Sequence, residues 1–188
     1  MILACNGYGG APDLVARHIP EMRHASYFGH PGNLGEAVLW GGELDAKLKH
    51  MSGYQGHCPV AHPHGILISW AVIMEGGFQV NKNGERFSDE SLGYSEQAAV
   101  VLAQPDGIAF DVFDERIAAI ARQFADFRQA EASGAVIEAP TLALLAARLN
   151  VPLPALAQSL AEIEEAKRTV DPIASAAASA EPHHWRRP

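Results

Sequence analysis

Val80-Asn81-Lys82-Asn83-Gly84-Glu85-Arg86-Phe87-Ser88-Asp89-Glu90-Ser91-Leu92-Gly93-Tyr94 is the stretch on which the reading of the fold turns. Asn83-Gly84 predicts a tight turn, because these residue types tolerate the left-handed backbone such turns need. Phe78-Gln79-Val80-Asn81 before it then reads as a strand, and Phe87 beyond it is an apolar anchor. Arg86 and Glu90 carry opposite charges four positions apart. Taken alone, the same residues also fit an ordinary hairpin with a surface ion pair worth ~0.5 kcal/mol.

Outward toward the C-terminus, Tyr94 to Gln104 reads as a helix and Ile108 to Phe113 as a strand. From Asp114 the pattern is helical, with Thr141 an N-cap for Leu142 to Leu149 and a further helix from Ala155 to about Arg168. Asp171 to Pro188 is rich in Ala and Ser without a periodic apolar face, and a loosely ordered tail is expected there. Toward the N-terminus, Ile66 to Met74 is apolar without a clear period and is read as extended. His30 to Gly35 is a glycine loop leading into a helix from Ala37 through Leu44 to Leu48. Met1 to Cys5 reads as a short buried strand, Asn6 to Gly10 as a glycine turn, and Pro12 as the start of a short helix closed before Pro20.

The chain has 188 residues, 48% of them hydrophobic, enough to bury roughly 70% of its unfolded surface in one domain or two small ones. Its 14 Lys plus Arg against 22 Asp plus Glu give a net charge of −8, which repels nucleic acid and anionic membrane surfaces. The longest apolar run, Gly65 to Met74, is about half of the ~20 residues a membrane span requires. No secretory pattern is expected at Met1, and two cysteines, Cys5 and Cys58, make no disulfide framework. A cytoplasmic location follows as the expectation.

Three segments together resemble one family. The stretch from Val80 to Glu90 resembles the "V-N-x-x-G-x-R-F-x-N-E" segment of the capping domain in FAD-dependent fumarate reductase/succinate dehydrogenase flavoproteins and 3-ketosteroid dehydrogenases. Leu3-Ala4-Cys5-Asn6-Gly7-Tyr8 is similar to the family's glycine turn beside FAD, and Pro31-Gly32-Asn33-Leu34-Gly35-Glu36-Ala37 to its second cofactor loop. The resemblance implies an α/β chain: a remnant of the FAD-binding domain over residues 1–50, a mixed α+β capping, substrate-facing domain over 51–168, and the tail 169–188. It implies FAD as cofactor, with Ala4, Cys5, Asn6, Gly7, Gly35 and Glu36 against it.

Tyr94 stands where the fumarate reductases carry a proton-donating Arg, and Arg86 to Tyr94 resembles the ketosteroid dehydrogenase pattern ending in a tyrosine. By that resemblance Tyr94 is the catalytic acid/base, with the alternative of an aromatic packed at a helix start. His57 lies twelve residues before Ser69, the spacing of the fumarate reductase substrate His and its nearby Thr. His57, Ser69 and Glu90 are therefore expected at the substrate, a small molecule with a carbonyl or carboxylate; a packed or solvated histidine is the alternative for His57. Trp70 and Ile73 replace the family's Glu and Arg, which breaks the fumarate reductase proton path. The implied reaction is dehydrogenation or reduction of a C–C bond next to a carbonyl or carboxylate.

The chain also departs from the family. Cys5-Asn6 replaces Thr-Gly, Glu36-Ala37 replaces Asp-Gly, and neither a G-x-G-x-x-G turn nor the closing glycine-rich segment is found. Charge-assisted hydrogen bonds contribute roughly 1.5–3 kcal/mol each, so lacking three or four weakens FAD binding ~10³-fold or more. Poor FAD binding by the chain alone is expected, and whether it is itself an enzyme stays open. A truncated product, a mis-called reading frame, half of a split enzyme completed by a complementary chain, or a non-catalytic binding or scaffold fragment all fit. His57-Cys58, His62 and His64 offer zinc-type ligands, but their spacing matches no closed site and no metal is expected.

Overall fold

The computed structural model describes residues 2–170. Contacts divide the chain into two compact units: one runs to Lys82 and resumes over Phe87–Val136, the other joins Asn83–Arg86 to the residues from Ile137 on. This division is by contact, whereas the boundary expected near residue 50 concerns the parent domain of each stretch. The expected tail beyond residue 170 lies outside the described residues.

In the first unit, residues 2–7 form no strand and lie exposed until Tyr8, contrary to the buried strand expected from Met1 to Cys5. An extended segment becomes a strand only through a hydrogen-bonded neighbour, and among the described residues none pairs with it. Helix α1 (Pro12–His18) starts at its proline and α2 (Glu36–Glu43) enters through Gly35, as expected. Gly35 has φ +84°, and a Cβ there would lie 2.6 Å from Leu14 Cδ1 and 2.8 Å from Tyr8 Cβ, so this turn requires glycine. Helix α2 stops at Glu43 rather than reaching Leu48; Leu44 and Leu48 are both exposed, so no packed stripe carries it further.

Strands β1 (Val60–Ala61) and β2 (Ile66–Leu67) form a short antiparallel pair. The apolar run that follows is not extended throughout: Ala71–Met74 is a single helical turn, α3, stopped by Gly76 at φ +109°. Ile66, Ile68 and Val72 from this run pack with Ile117, Ala118, Ala121, Phe127 and Ala130 into one core. The last five come from α5 (Glu115–Ala121), capped by the Asp114 carboxylate, and α6 (Ala125–Ala132). Phe113 meets Phe127 edge-on at 5.9 Å, an orientation aromatic quadrupoles favour.

The strand expected at Phe78–Asn81 is present as β3, with all four residues buried. Its partner is β4 (Ala109–Val112), antiparallel, and not a strand just after the Asn83-Gly84 turn, so the simple hairpin is excluded. Register sets Gln79 opposite Asp111. Between them runs α4 (Tyr94–Leu102). Helices with two small two-stranded sheets make up the mixed α/β architecture.

The second unit is built on α7 (Leu142–Leu149) and α8 (Leu153–Val170). Thr141 Oγ1 accepts from Leu144 N, the expected cap, and Asn150 ends α7 in the left-handed region. Gly84, at φ +77°, lies where a Cβ would come 3.0 Å from Leu156 N. Ser159 Oγ donates to Gly84 O at 2.9 Å and accepts from Arg86 N at 3.0 Å, fastening the turn to α8. No helix among the described residues is long and apolar enough to cross a membrane.

Candidate active site

The first turn of α4 organises the side chains expected to carry chemistry. Gly93, at φ +111°, lets the chain enter the helix abruptly, and Tyr94 is its first residue. The Tyr94 hydroxyl accepts from Gln55 Nε2 at 2.9 Å, and Ser95 Oγ accepts from Gly56 N at 3.0 Å. A Cβ on Gly56 would come within 2.7 Å of Ala98 Cβ and 2.8 Å of Ser95 O, so the loop lies directly on the helix. That contact delivers His57: its ring centroid is 5.3 Å from that of Tyr94, tilted by 48°. Its Nε2 is 3.4 Å from Ile68 O. Trp70 meets Tyr94 edge-on at 6.4 Å. Ser69 is its chain neighbour and accepts from Ala71 N, holding the start of α3.

Imidazole, phenol and indole thus share one open region, with His57 exposed and Tyr94, Ser69 and Trp70 half-buried. The first two present donors and acceptors to a ligand oxygen. Glu90 lies elsewhere: it is buried, and its Oε1 accepts from Gln79 N at 2.9 Å. Ile73 is buried within α3.

The two glycine loops expected at the cofactor meet through Tyr8 and Gly10. Tyr8, directly after Gly7, packs on Gly35, and Gly10 N donates to Asn33 O at 2.9 Å, joining the two glycine loops. Ala4, Cys5, Asn6 and Gly7 are exposed, and among the described residues no hydrogen bond occupies their backbone. Such exposed backbone donors and acceptors are open to a ligand, as a site for the family's cofactor requires. Glu36 is the first residue of α2, where its negative charge does not suit a phosphate.

A buried polar network was not anticipated from the sequence. Gln79 Nε2 donates to Asp111 Oδ1 at 2.7 Å and to Cys58 Sγ at 3.4 Å. Gln97 Nε2 donates to Gln79 Oε1 at 2.8 Å and to Ser88 Oγ at 2.6 Å. Burial pushes the Asp111 carboxyl up to about 6; the Gln79 bond opposes this and the nearby Glu90 charge adds to it. Burial likewise pushes the Cys58 thiol up to about 12, with the Asp111 charge adding and the Gln79 bond opposing. Gln79 and Asn81 standing polar within an apolar strand are the one sequence signal that could have found it. No group of three or more His, Cys, Asp or Glu among the described residues is placed to hold a metal.

The chain matches the family described as FAD binding domain over residues 1–187 and belongs to that family, whose cofactor is FAD. It is 30% identical over 117 residues to a probable fumarate reductase of Shewanella frigidimarina, covering 62% of this chain and 20% of that protein. An NADH:acrylate oxidoreductase of Vibrio harveyi is 25% identical over 170 residues, 86% of this chain and 17% of the other. In structure the chain is similar to the open conformation of a flavocytochrome c3 fumarate reductase, with TM-score 0.66 and 25% identity, covering 86% of this chain and 28% of that one. The chain therefore spans about a fifth of the length of the curated relatives it matches.

Proposed function

We propose that this chain is the substrate-facing portion of a flavin-dependent oxidoreductase that dehydrogenates or reduces a C–C bond next to a carbonyl or carboxylate. The observation that carries the reading is the 5.3 Å approach of His57 to Tyr94, with the phenol oxygen fixed by Gln55. Tyr94 holds or moves the proton at the carbon next to the activating group, while His57 and Ser69 orient that group's oxygen. Glu90 acts from the buried side, through the backbone of β3. Bound FAD supplies the two-electron exchange, and Ala4, Cys5, Asn6, Gly7, Gly35 and Glu36 would hold it. Since Tyr94, Trp70 and Ile73 replace Arg, Glu and Arg, fumarate itself is disfavoured, and a ketosteroid-like enone or another activated alkene is the better substrate class.

Residues 1–50 are read as FAD-domain sequence and 51–168 as the cap. The exposure of Leu3, Phe28, Leu39 and Trp40 supports further flavoprotein polypeptide, in the same or a complementary chain, covering the first region. The unpaired thiols of Cys5 and Cys58 favour a reducing, cytoplasmic setting. The test is Tyr94→Phe in the flavoprotein completed with its FAD-binding segments, read as anaerobic flavin reduction by substrate. The rate is expected to fall ~10²- to 10⁴-fold with little change in melting temperature. A near-normal rate would return Tyr94 to a packing role.

A further inference from the structure

The turn that carries Tyr94 is anchored from behind by side chains with no place in the proposed chemistry. Gln97 lies three residues along α4, on the same side of the helix. Gln97 and Gln79 are each about 2% exposed or less, and both amide protons of each are engaged. An ionised carboxylate only accepts hydrogen bonds. Asp111 therefore turns the amide nitrogen of Gln79 toward itself, which points Gln79 Oε1 at α4 and leaves Gln97 to donate. The direction of the whole chain is set at one end. Glu90, on Gln79 N, and Cys58, on Gln79 Nε2, are the other titratable groups facing it.

We propose that Gln97 is a positioning residue for Tyr94, oriented by Asp111 through Gln79 so that the first turn of α4 holds the phenol in one geometry against His57. An apolar pair of similar volume would pack β3 on α4 without enclosing a carboxylate and two amides. What the amides add is direction, because each accepts only one arrangement of its neighbours. The same turn grips Gly56 through Ser95 and Gln55 through Tyr94, so a shift in it moves the His57 loop as well. The use of this device rests on the proposed role of Tyr94, but the device can be measured without it.

The test reverses the polarity of the relay in the isolated full chain, read by NMR through the Tyr94 and His57 ring resonances and the contact between the rings. Gln97→Glu sets an acceptor against Gln79 Oε1, and we expect displaced ring resonances and a weakened ring-to-ring contact. Asp111→Asn alone keeps an acceptor for Gln79 and should leave the rings near their wild-type positions. The double variant lets the Gln79 amide turn over, donating to position 97 and accepting from position 111, and should restore both rings. Unmoved rings in Gln97→Glu, or a double variant that does not restore them, would overturn the proposal. If Gln97→Glu does not fold, Gln97→Met removes the donor without adding charge, and unmoved rings in that variant would overturn it equally. Phe127→Leu, a core change away from the relay, should lower stability and leave the rings in place; equal displacement in it would also overturn the proposal. An intact relay around a Tyr94→Phe enzyme that reduces its flavin at full rate would sink only the catalytic reading.

Discussion

Residues 2–50 and 51–136 both contain helices, and apart from the Asn83–Arg86 turn they lie in the same unit, yet the first buries far less of its apolar sequence, chiefly Tyr8 and Ile19. Neither α1 nor α2 has a buried residue, and Ile2, Leu3, Tyr27, Phe28, Leu34, Leu39, Trp40, Leu44 and Leu48 are all exposed. In the second region α5 alone buries Ile117, Ala118 and Ala121, and β3 is buried throughout. The difference teaches that stability here is concentrated after residue 50. The first region is held by its turns and a few contacts such as the Tyr8 hydroxyl donating to Met51 O.

Substitution should expose that asymmetry most sharply in the core. Phe127 is 1% exposed and central to the cluster, and Phe127→Ala is expected to cost ~3–5 kcal/mol in denaturant-induced unfolding. A loss below about 1 kcal/mol would mean that the core does not carry the fold.

A smaller effect, of the opposite sign, is expected at Asp111. Its carboxyl ionises near pH 6 in the folded chain and near pH ~4 when unfolded. The folded state thus holds the proton more tightly, and the stability this confers at low pH is lost as pH rises from ~4 to ~6, then stays level. Asp111→Asn should remove that dependence and raise stability at pH ~7 by on the order of 2 kcal/mol, with no gain below pH ~4. A variant destabilised at pH ~7 but not below pH ~4 would show the carboxylate to be stabilising instead.

The smallest effect should come from Trp40→Ala on the exposed face of α2, within about 0.5 kcal/mol of the unsubstituted chain. A loss of about 2 kcal/mol or more would show that residues 2–50 contribute a core of their own.

What the sequence disclosed followed from how local the physics is. Thr141 acts through its own helix start, and Gly35 and Gly84 take the left-handed backbone within their own turns, so these roles were readable from residue type and immediate neighbours, whereas the close approach of Leu14 to Gly35 and of Leu156 to Gly84 was not. The segment from Ile2 to Gly7 was not readable, because strand formation depends on a partner that its own residues do not specify. The run from Ile66 to Met74 changes from strand to helical turn near Ser69, within a stretch too short for either period to stand out. At the site, motif spacing singles out His57, Ser69 and Tyr94, and the fold does bring His57 to Tyr94 and Trp70, Ser69's neighbour, to the same ring. The Gln79–Asp111 pair is 32 residues apart in sequence and meets only through the register of β3 on β4, which no local pattern fixes.

The four residues Asn83–Arg86 leave the first unit, fasten to Ser159, and return at Phe87. The second unit is therefore not a contiguous stretch of gene. A cut after Val136 would leave the Gly84 carbonyl and the Arg86 amide without the hydroxyl that serves both, and a fragment starting at Ile137 would lack the turn that α8 grips. A chain stitched in this way resists being traded or lost as separate modules, so the residues up to Val136 and the helices α7 and α8 stay together.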